Sequence, residues 1–448
     1  MHAWWAPDSA RRRIVLGLVV YVVTSAVFFA LAAKDTLSHH TPWNHYALLA
    51  EGWLEGRLDL GGPPPPYTGN NDFAKLADRW FVAFPPFPAV LTLPLVWLGG
   101  SAQRVQDGQF FIWLAGIAPT ILFLALEKLR RTGRSTCSER VDLALALLFA
   151  FGSVYFFTAE QGTVWYAAHV VGAALAALYL LFSLDAERPI LAGLMIGFGF
   201  MTRTPLLFAV PLFLAEVWRA SSLPHAPREE GGKDAPPPPW KQIDLWRALR
   251  LCALFGLPIM VIVAVALWHN QARFGSPFDF GYEHLQIRWR GRIHKWGLFD
   301  YHYLGRNLSV VLTSLPWLPK EPNLAPFQIN AHGLALWVTT PLYLWLLWPR
   351  RSSPLTWALW ATVLAVAVPT LFYQNTGWVQ FGYRFSNDYS VFLFALLAIG
   401  GFRFRGLFAT AAVWSVAVNA FGALSFGRAD YARFYYQDNT QRIVHQPD

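Results

Sequence analysis

The sequence predicts an all-α, polytopic membrane protein. Only 14% of its 448 residues are charged and 55% are hydrophobic, whereas soluble domains carry about 25% charged residues. Several apolar runs approach the roughly 20 residues that a helix needs to cross ~30 Å of hydrocarbon. The 22 Trp residues suit a chain with many membrane–water boundaries. This composition excludes a disordered chain, a coiled coil and an ordinary soluble enzyme.

The apolar runs give the predicted spans. They cover about 14–33, 110–127, 141–158, 164–184, 190–217, 250–268, 334–348, 354–373, 387–402 and 406–424. The long run 190–217 contains Arg203 followed by Thr204 and Pro205, and proline disfavours a helical residue before it. We therefore expect a hairpin of two short helices, 190–201 and 205–217, that turns at Arg203. A shorter run, 86–99, contains three prolines and is expected to enter the membrane without crossing it.

The distribution of basic residues predicts the orientation. With the N-terminus inside, the inner segments hold 17 Lys and Arg, and the short outer segments hold 4. Positive charge marks the cytoplasmic side, although long loops report orientation poorly. The prediction is eleven crossings, with the C-terminal tail outside, within a fold of about 11–12 transmembrane helices. The first outer loop should contain amphipathic helices at the membrane surface.

A polar, proline-rich stretch divides the chain. We expect an N-terminal transmembrane module over 1–218 with a first outer loop at 34–109, a cytoplasmic linker over 219–249, and a C-terminal module over 250–448 with an outer loop at 269–333. The two cysteines indicate neither a disulfide framework nor a cysteine metal site. The net charge of +9 fits membrane topology better than nucleic-acid binding, since no separate basic block is present.

The first outer loop concentrates acidic residues near the membrane. Apolar residues at 46, 49, 50, 53 and 54 have helical spacing and predict an amphipathic helix on the membrane surface, ended by Gly56. Pro63–Pro66 then favours an extended segment. The acids of this loop are Asp35, Glu51, Glu55, Asp59, Asp72 and Asp78.

The order of first helix, acidic outer loop and short proline-led helix resembles the GT-C superfamily of polyprenyl-phosphate-sugar-dependent membrane glycosyltransferases. Three sequence stretches carry further likeness. Gly197-Phe198-Gly199-Phe200-Met201-Thr202-Arg203 resembles a turn of bacterial aminoarabinose transferases, which are related to protein O-mannosyl transferases. The stretches 270–282 and 380–388 resemble segments common in bacterial GT-C-like proteins.

The resemblance implies a transferase with its active site at the outer face of a bacterial inner membrane. The donor would be a polyprenyl-phosphate-linked sugar, the acceptor a glycan, a lipid or a protein, and a carboxylate in the first outer loop would be the general base. The related transferases carry an acid a few positions before the helical tyrosine, where this chain has Pro42, Trp43 and Asn44 before Tyr46. Asp72 is therefore the first candidate base, and the reserves are Glu51, Asp35 and the imidazole of His45.

Basic residues are the candidates for holding the donor phosphate, because a guanidinium can accept departing charge through two hydrogen bonds. Arg203 leads, since a charge within an apolar run is costly and usually functional. The other candidate donor-binding residues are Arg273, Arg384, Asp388 and His169. Structural roles compete with these assignments: Arg384 and Asp388, spaced i and i+4, could pair with each other, and His169 could be a hydrogen-bonded core histidine.

No metal ligand is assigned, because the spacing of His39, His40 and His45 is not specific for a metal site. The related enzymes leave a requirement for Mg²⁺ or Mn²⁺ open. Two other function classes also remain. One is a transporter or flippase of lipid-linked sugars, which the nearly charge-free spans disfavour. The other is a catalytically inactive envelope protein of the same fold, which the missing acid before Tyr46 would explain.

Overall fold

A computed structural model describes residues 9–222, 243–287, 289–321 and 324–436. The described part is mainly helical. Its α-helices are α1 Ala10–Leu31, α2 Lys34–Ser38, α3 His45–Leu54, α4 Phe87–Gly99, α5 Asp107–Ala115, α6 Ile117–Arg131, α7 Glu139–Phe151, α8 Tyr155–Ala159, α9 Val164–Ser183, α10 Pro189–Phe200, α11 Pro211–Ser221, α12 Leu245–Phe274, α13 Arg290–Trp296, α14 Leu304–Thr313, α15 Leu336–Thr339, α16 Pro354–Leu371, α17 Asn387–Ile399 and α18 Leu407–Ser425.

The helices make a multi-pass membrane protein. Six described helical stretches are long and apolar enough to cross a bilayer: Ala10–Leu31, Asp107–Arg131, Val164–Ala186, Leu245–Phe274, Pro354–Leu371 and Leu407–Ser425. Helices α1 and α12 expose large apolar side chains, including Leu18, Met260 and Trp268. Such surfaces suit contact with lipid tails and not with water. Helix α9, by contrast, is almost entirely buried and forms the centre of the bundle.

A network of ion pairs gathers several helix ends at one end of the bundle. Arg12 at the start of α1 pairs with Glu139 at the start of α7. Arg134, just after α6, donates to Glu216 of α11 at 2.7 Å. Glu216 also accepts the backbone N–H of Asp185, just after α9, at 2.6 Å. This is the end that the distribution of Lys and Arg predicted to be the inner one.

The opposite end holds the outer loops and the C-terminal segment. Arg428, which follows α18, donates to the carbonyl of Leu31 at the end of α1 and to Glu160 before α9. The start of α1 and the end of α18 therefore lie at opposite ends of the bundle, in agreement with the predicted topology. The contact of Asp185 with Glu216 likewise brings the end of α11 back to the start of α10, so 190–217 is a hairpin with Arg203 at its turn.

Both ends of helix α4 contact segments at the outer-loop end of the bundle. Its first residue, Phe87, donates its backbone N–H to Met201 at 2.8 Å. After α4 ends, the N–H of Ala102 donates to Glu51 in the first outer loop at 3.0 Å. These contacts are those expected of a run that enters the membrane without crossing it, which stays a prediction. Helix α3 packs against α4 with residues 45–50 all buried, so it lies inside the protein and not on the membrane surface as its spacing had suggested.

Three predicted spans are less regular than their apolar runs. Run 110–127 falls on α5 and α6, which meet at Gly116, and 141–158 falls on α7 and α8. Run 334–348 contains the short α15 and a 3-10 helix, Pro341–Leu347. At Gly116 an added Cβ would lie 2.1 Å from the Ser25 hydroxyl, so close packing on α1 requires glycine there. Hydropathy detects apolar runs but not such breaks.

The strands are short and lie outside the helical bundle. Strands β1 Phe73–Leu76 and β2 Arg79–Val82 form an antiparallel hairpin in the first outer loop. Strands β3 Ile329–Asn330 and β4 Tyr435–Tyr436 pair in parallel and tie the last described segment to the second outer loop. Most of the expected linker 219–249, namely 223–242, lies outside the described residues, so the proposed division into modules stays a prediction.

The ion-pair network yields a prediction about stability. Replacing buried Glu216 with Ala should destabilise the fold by about 3–5 kcal/mol, because Arg134 and Arg219 would lose a shared buried carboxylate and the Asp185 N–H would lose its acceptor. Glu187→Ala, which breaks an exposed pair with Lys128, should cost less than about 1 kcal/mol. Thermal unfolding of both variants in detergent measures the contrast. Equal midpoints for the two variants would show that the network does not hold the helix ends together.

Candidate functional site

Asp388 is the central contact of the site. Arg203 Nη2 donates to Asp388 Oδ2 at 2.8 Å, and Arg203 Nε donates to Oδ1 at 3.0 Å. The guanidinium and the carboxylate therefore form a bidentate ion pair. His169 Nδ1 lies 3.2 Å from the same Oδ1. Asp388 thus joins the hairpin turn, α9 and α17. Asp388 pairs with Arg203 and not, as its i and i+4 spacing allowed, with Arg384.

Local sequence explains why these groups meet. Asp388 lies in the first turn of α17, where the helix dipole favours a negative charge. Gly172 of α9 faces the stem of Arg203, and a Cβ at that position would lie 2.8 Å from Arg203 Cγ. The glycine therefore leaves the space through which Arg203 reaches Asp388. The ring of Phe385 covers the guanidinium at 5.0 Å and adds a cation–π contact.

A cavity of about 1000 Å³ opens beside this cluster. Four of the nine residues proposed from the sequence line it: Asp72, His169, Arg203 and Arg384. Asp388 is fully buried behind Arg203. The structure therefore brings five residues together that are up to 316 positions apart in the sequence. Cavities of this size with a few convergent polar groups are the usual ligand sites of proteins.

Asp72 is the one acidic side chain among the described residues that line the cavity. Its Oδ2 accepts a hydrogen bond from Trp165 Nε1 at 2.8 Å. The turn that carries it is fixed by His45, whose Nε2 lies 2.8 Å from the Asn71 carbonyl and whose ring stacks on Phe73. Burial raises the pKa of Asp72, while the Trp165 hydrogen bond and the charge of Arg384 lower it. His45 has a positioning role, since it contacts the turn and does not line the cavity.

Arg384 has the least compensated charge of the site. The residue is 7% exposed, and its Nε has no hydrogen-bond partner among the described residues. Its guanidinium lies over the rings of Tyr166 and Phe385, at 5.1 and 5.9 Å. No described carboxylate lies within ion-pair distance, and burial lowers the pKa of Arg384. A buried cation in this state is costly unless an anion joins it.

The other three proposed residues lie elsewhere. Asp35 is exposed on the short helix α2, and Glu51 accepts the backbone N–H of Ala102. Arg273 donates to the carbonyl of Val82 and to Asn270, and so connects the end of α12 with β2. None of the three lines the large cavity.

Sequence reasoning missed several residues of the cavity wall. Trp165 holds Asp72, Tyr166 lies under Arg384, and Arg428 pairs with buried Glu160. One signal was available in the sequence. Glu160 is a single acid in the very short segment between the apolar runs 141–158 and 164–184. The partnership with Arg428 joins residues 268 positions apart and could not be read from local spacing.

The described residues do not fit a divalent metal. No group of three or more His, Cys, Asp or Glu side chains in 9–222, 243–287, 289–321 and 324–436 could hold one. Mg²⁺ and Mn²⁺ prefer several oxygen ligands, and Asp72 is a single carboxylate facing three arginines, Arg203, Arg384 and Arg428.

Comparison with known proteins identifies the fold. No protein-family model and no curated protein matches the chain. Among solved structures, the apo oligosaccharyltransferase of Archaeoglobus fulgidus is similar over 100% of this chain and 57% of its own, with a TM-score of 0.50 and 13% identity. The fold is GT-C-like. At this identity the likeness concerns the fold alone, and the chain spans little more than half the length of that oligosaccharyltransferase.

Two further structures show more distant likeness. Archaeal AglB from the same organism, in complex with an inhibitory peptide and a dolichol-phosphate, matches 95% of this chain and 56% of its own at a TM-score of 0.44 and 14% identity. ArnT from Cupriavidus metallidurans, bound to undecaprenyl phosphate, matches 91% of this chain and 60% of its own at 0.43 and 12%.

The Asp388 contacts of this GT-C-like fold predict a paired mutational effect. Asp388→Leu should destabilise the protein by about 3–5 kcal/mol, because it leaves buried Arg203 without a carboxylate. Adding Arg203→Met should restore much of the loss, since an apolar pair can replace a buried ion pair. Thermal unfolding of the single and double variants measures this. If the second substitution only added to the damage, the two residues would not be energetically coupled.

Proposed function

We propose that the protein is an integral membrane glycosyltransferase that moves a sugar from a polyprenyl-phosphate donor to an acceptor hydroxyl at its outer face. One observation carries the proposal: a single carboxylate, Asp72, shares a membrane-protein cavity with Arg384, a buried guanidinium that lacks a carboxylate partner. This arrangement offers one proton acceptor and one site for an anion, which are the two groups that sugar transfer from a lipid phosphate requires.

The three arginines of the cavity have different charge environments. Arg203 is paired with Asp388, and Arg428 is paired with Glu160. Arg384 alone has no described carboxylate at ion-pair distance, yet it is almost fully buried. The phosphate of a lipid-linked sugar would supply the missing negative charge. Arg203 shares the Phe385 ring with Arg384 and lies on the same wall, where it can contribute a second positive field.

The proposed reaction is a single displacement. The acceptor oxygen attacks the anomeric carbon while Asp72 takes the hydroxyl proton. The bond between the anomeric carbon and the phosphate oxygen breaks, and its electron pair leaves with the lipid phosphate. Arg384 receives the added negative charge, and Arg203, oriented by Asp388, stabilises it from the same wall. The products are the glycosylated acceptor and the free lipid phosphate, and the proton remains on Asp72.

The same proposal covers location and partners. The chain would lie in a bacterial inner membrane with its N-terminus cytoplasmic, so that the cavity end faces the periplasm or exterior. The distribution of Lys and Arg supports this orientation. The partners would be membrane lipid, a polyprenyl-phosphate-linked sugar, and a glycan, lipid or protein acceptor, without nucleic acid.

Removing the proposed base tests the reaction. Asp72→Asn should lower the rate of sugar transfer about 10²–10⁴-fold, the usual contribution of general-base catalysis. Asp78→Asn, in the turn between β1 and β2, is the matched control and should leave the rate unchanged, because Asp78 is exposed and outside the cavity. Transfer of labelled sugar in reconstituted vesicles measures both. Full activity of Asp72→Asn would contradict the assignment, and sugar movement without a covalent product would favour a flippase.

The hydrogen bond from Trp165 predicts a change in pH dependence. Asp72 must be ionised to act as a base, so activity should fall as the pH drops through its pKa. Trp165→Phe removes a hydrogen bond that lowers this pKa, so the acid limb of the activity profile should move to higher pH. Trp97→Phe, at a side chain that is 69% exposed, is the control. If the acid limb of the activity profile stayed in place or moved to lower pH, Asp72 would not be the group whose titration controls activity.

A further inference from the structure

The last described segment, 426–436, forms one wall of the large cavity. Its residues Phe426, Gly427, Arg428, Ala429, Ala432, Tyr435 and Tyr436 line that wall. Several contacts fix the segment in place. Strand β4 pairs with β3, Tyr435 and Ser425 hydroxyls lie 2.6 Å apart, and Gln328 donates to the carbonyl of Arg433. The wall is therefore a bound part of the fold, held at both of its ends.

Aromatic contacts separate this wall from the proposed phosphate site. The ring of Phe385 lies between Arg203 and Arg384, and Arg384 lies over Tyr166. Tyr166 in turn contacts Phe426, with ring centroids 6.0 Å apart. The cavity thus has a phosphate lobe around Arg203 and Arg384. Beyond Tyr166 is a second lobe, here called the C-terminal lobe, lined by Gln161, Thr163, Phe426, Arg428, Tyr435 and Tyr436.

Thr163 gives the C-terminal lobe an unused polar group. The residue precedes α9, where a threonine hydroxyl usually accepts a backbone N–H of the first turn. Here the side chain makes no such capping bond. Thr163 is 8% exposed, lines the cavity, and its Oγ1 has no hydrogen-bond partner among the described residues. A buried hydroxyl without a partner is destabilising, and a bound ligand would supply the missing hydrogen bond.

Arg428 and Gln161 add further hydrogen-bonding capacity. Arg428 uses its Nη2 for Glu160 and for backbone carbonyls, while its Nε and Nη1 donate to no acceptor within the described ranges. Gln161 uses its amide nitrogen for Glu160 at 3.0 Å, and its Oε1 is directed towards Gly427. The lobe therefore combines aromatic rings with a hydroxyl, an amide and a guanidinium edge.

We propose that the C-terminal lobe binds the acceptor and that this acceptor is a saccharide. The inference rests on the proposed glycosyltransferase function and names the acceptor class for the same cavity. A sugar ring offers apolar C–H faces to Phe426 and Tyr436, and hydroxyls to Thr163, Gln161 and Arg428. An acyl chain would leave those three polar side chains without partners.

The position beside Asp72 supports the same assignment. Asp72 is held by Trp165, two residues after Thr163 on the first turn of α9. Asp72, Thr163 and Trp165 all line the cavity, so a saccharide that extends from Thr163 past Trp165 would bring a hydroxyl to the proposed base, while the donor phosphate occupies Arg384. In this arrangement Thr163 binds the acceptor saccharide through its hydroxyl and does not act as a base.

The test compares two reactions of the same donor. Cells that lack the gene are grown on radioactive glucose, and their labelled membranes are the source of the donor. These membranes are combined with vesicles that contain the full-length protein. Release of sugar to water, without added acceptor, reports donor use. Transfer is then measured into the polysaccharide, protein and lipid fractions of unlabelled envelopes. Thr163→Val removes the hydroxyl at nearly constant volume, and Thr410→Val, at an exposed site on α18, is the control.

We expect the labelled sugar to enter the polysaccharide fraction. Thr163→Val should raise the acceptor concentration for half-maximal transfer about tenfold, the effect of one lost hydrogen bond, and leave release to water unchanged. Label in protein or lipid would overturn the saccharide assignment. An equal loss of both reactions, or no effect on transfer, would overturn the role of Thr163. If the wild type neither released nor transferred sugar, the proposed function itself would fail.

Discussion

The site depends on one buried carboxylate. Asp388 accepts hydrogen bonds from Arg203 on the hairpin turn and lies within contact of His169 on α9. The guanidinium of Arg203 could not remain in the low-dielectric interior without this carboxylate. The hairpin of α10 and α11 therefore turns at the point where Arg203 contacts Asp388 of α17. The cavity opens in front of that contact. Fold and site are specified by the same interaction.

The charges divide the cavity by function. Where a guanidinium already has a carboxylate, as at Arg203 and Arg428, it orders the protein wall. Where it has none, as at Arg384, it leaves an electrostatic requirement that a ligand can meet. Asp72 contributes the opposite sign at a position held by Trp165. In the proposed function, the cavity thus combines an anion site at Arg384 with a single proton acceptor at Asp72.

Sequence reasoning predicted the architecture because hydropathy and basic charge act locally. It placed the hairpin turn at Arg203. It also proposed Asp72, Arg384, Asp388 and His169 as site residues, and these lie in or beside the cavity. It could not predict which charges pair, since Asp388 and Arg203 are 185 positions apart. Helix α3 was placed on the membrane surface because its pattern does not show that α4 covers it.

The central claim is that Arg384 binds a lipid phosphate. Native mass spectrometry of the purified protein, given undecaprenyl phosphate in detergent, measures this directly. We predict that the wild type retains a lipid adduct and that Arg384→Gln loses it. Arg405→Gln, at the opposite end of the bundle, should retain the adduct. Equal retention by wild type and Arg384→Gln would contradict the account, because the unpaired guanidinium would then have no part in phosphate binding.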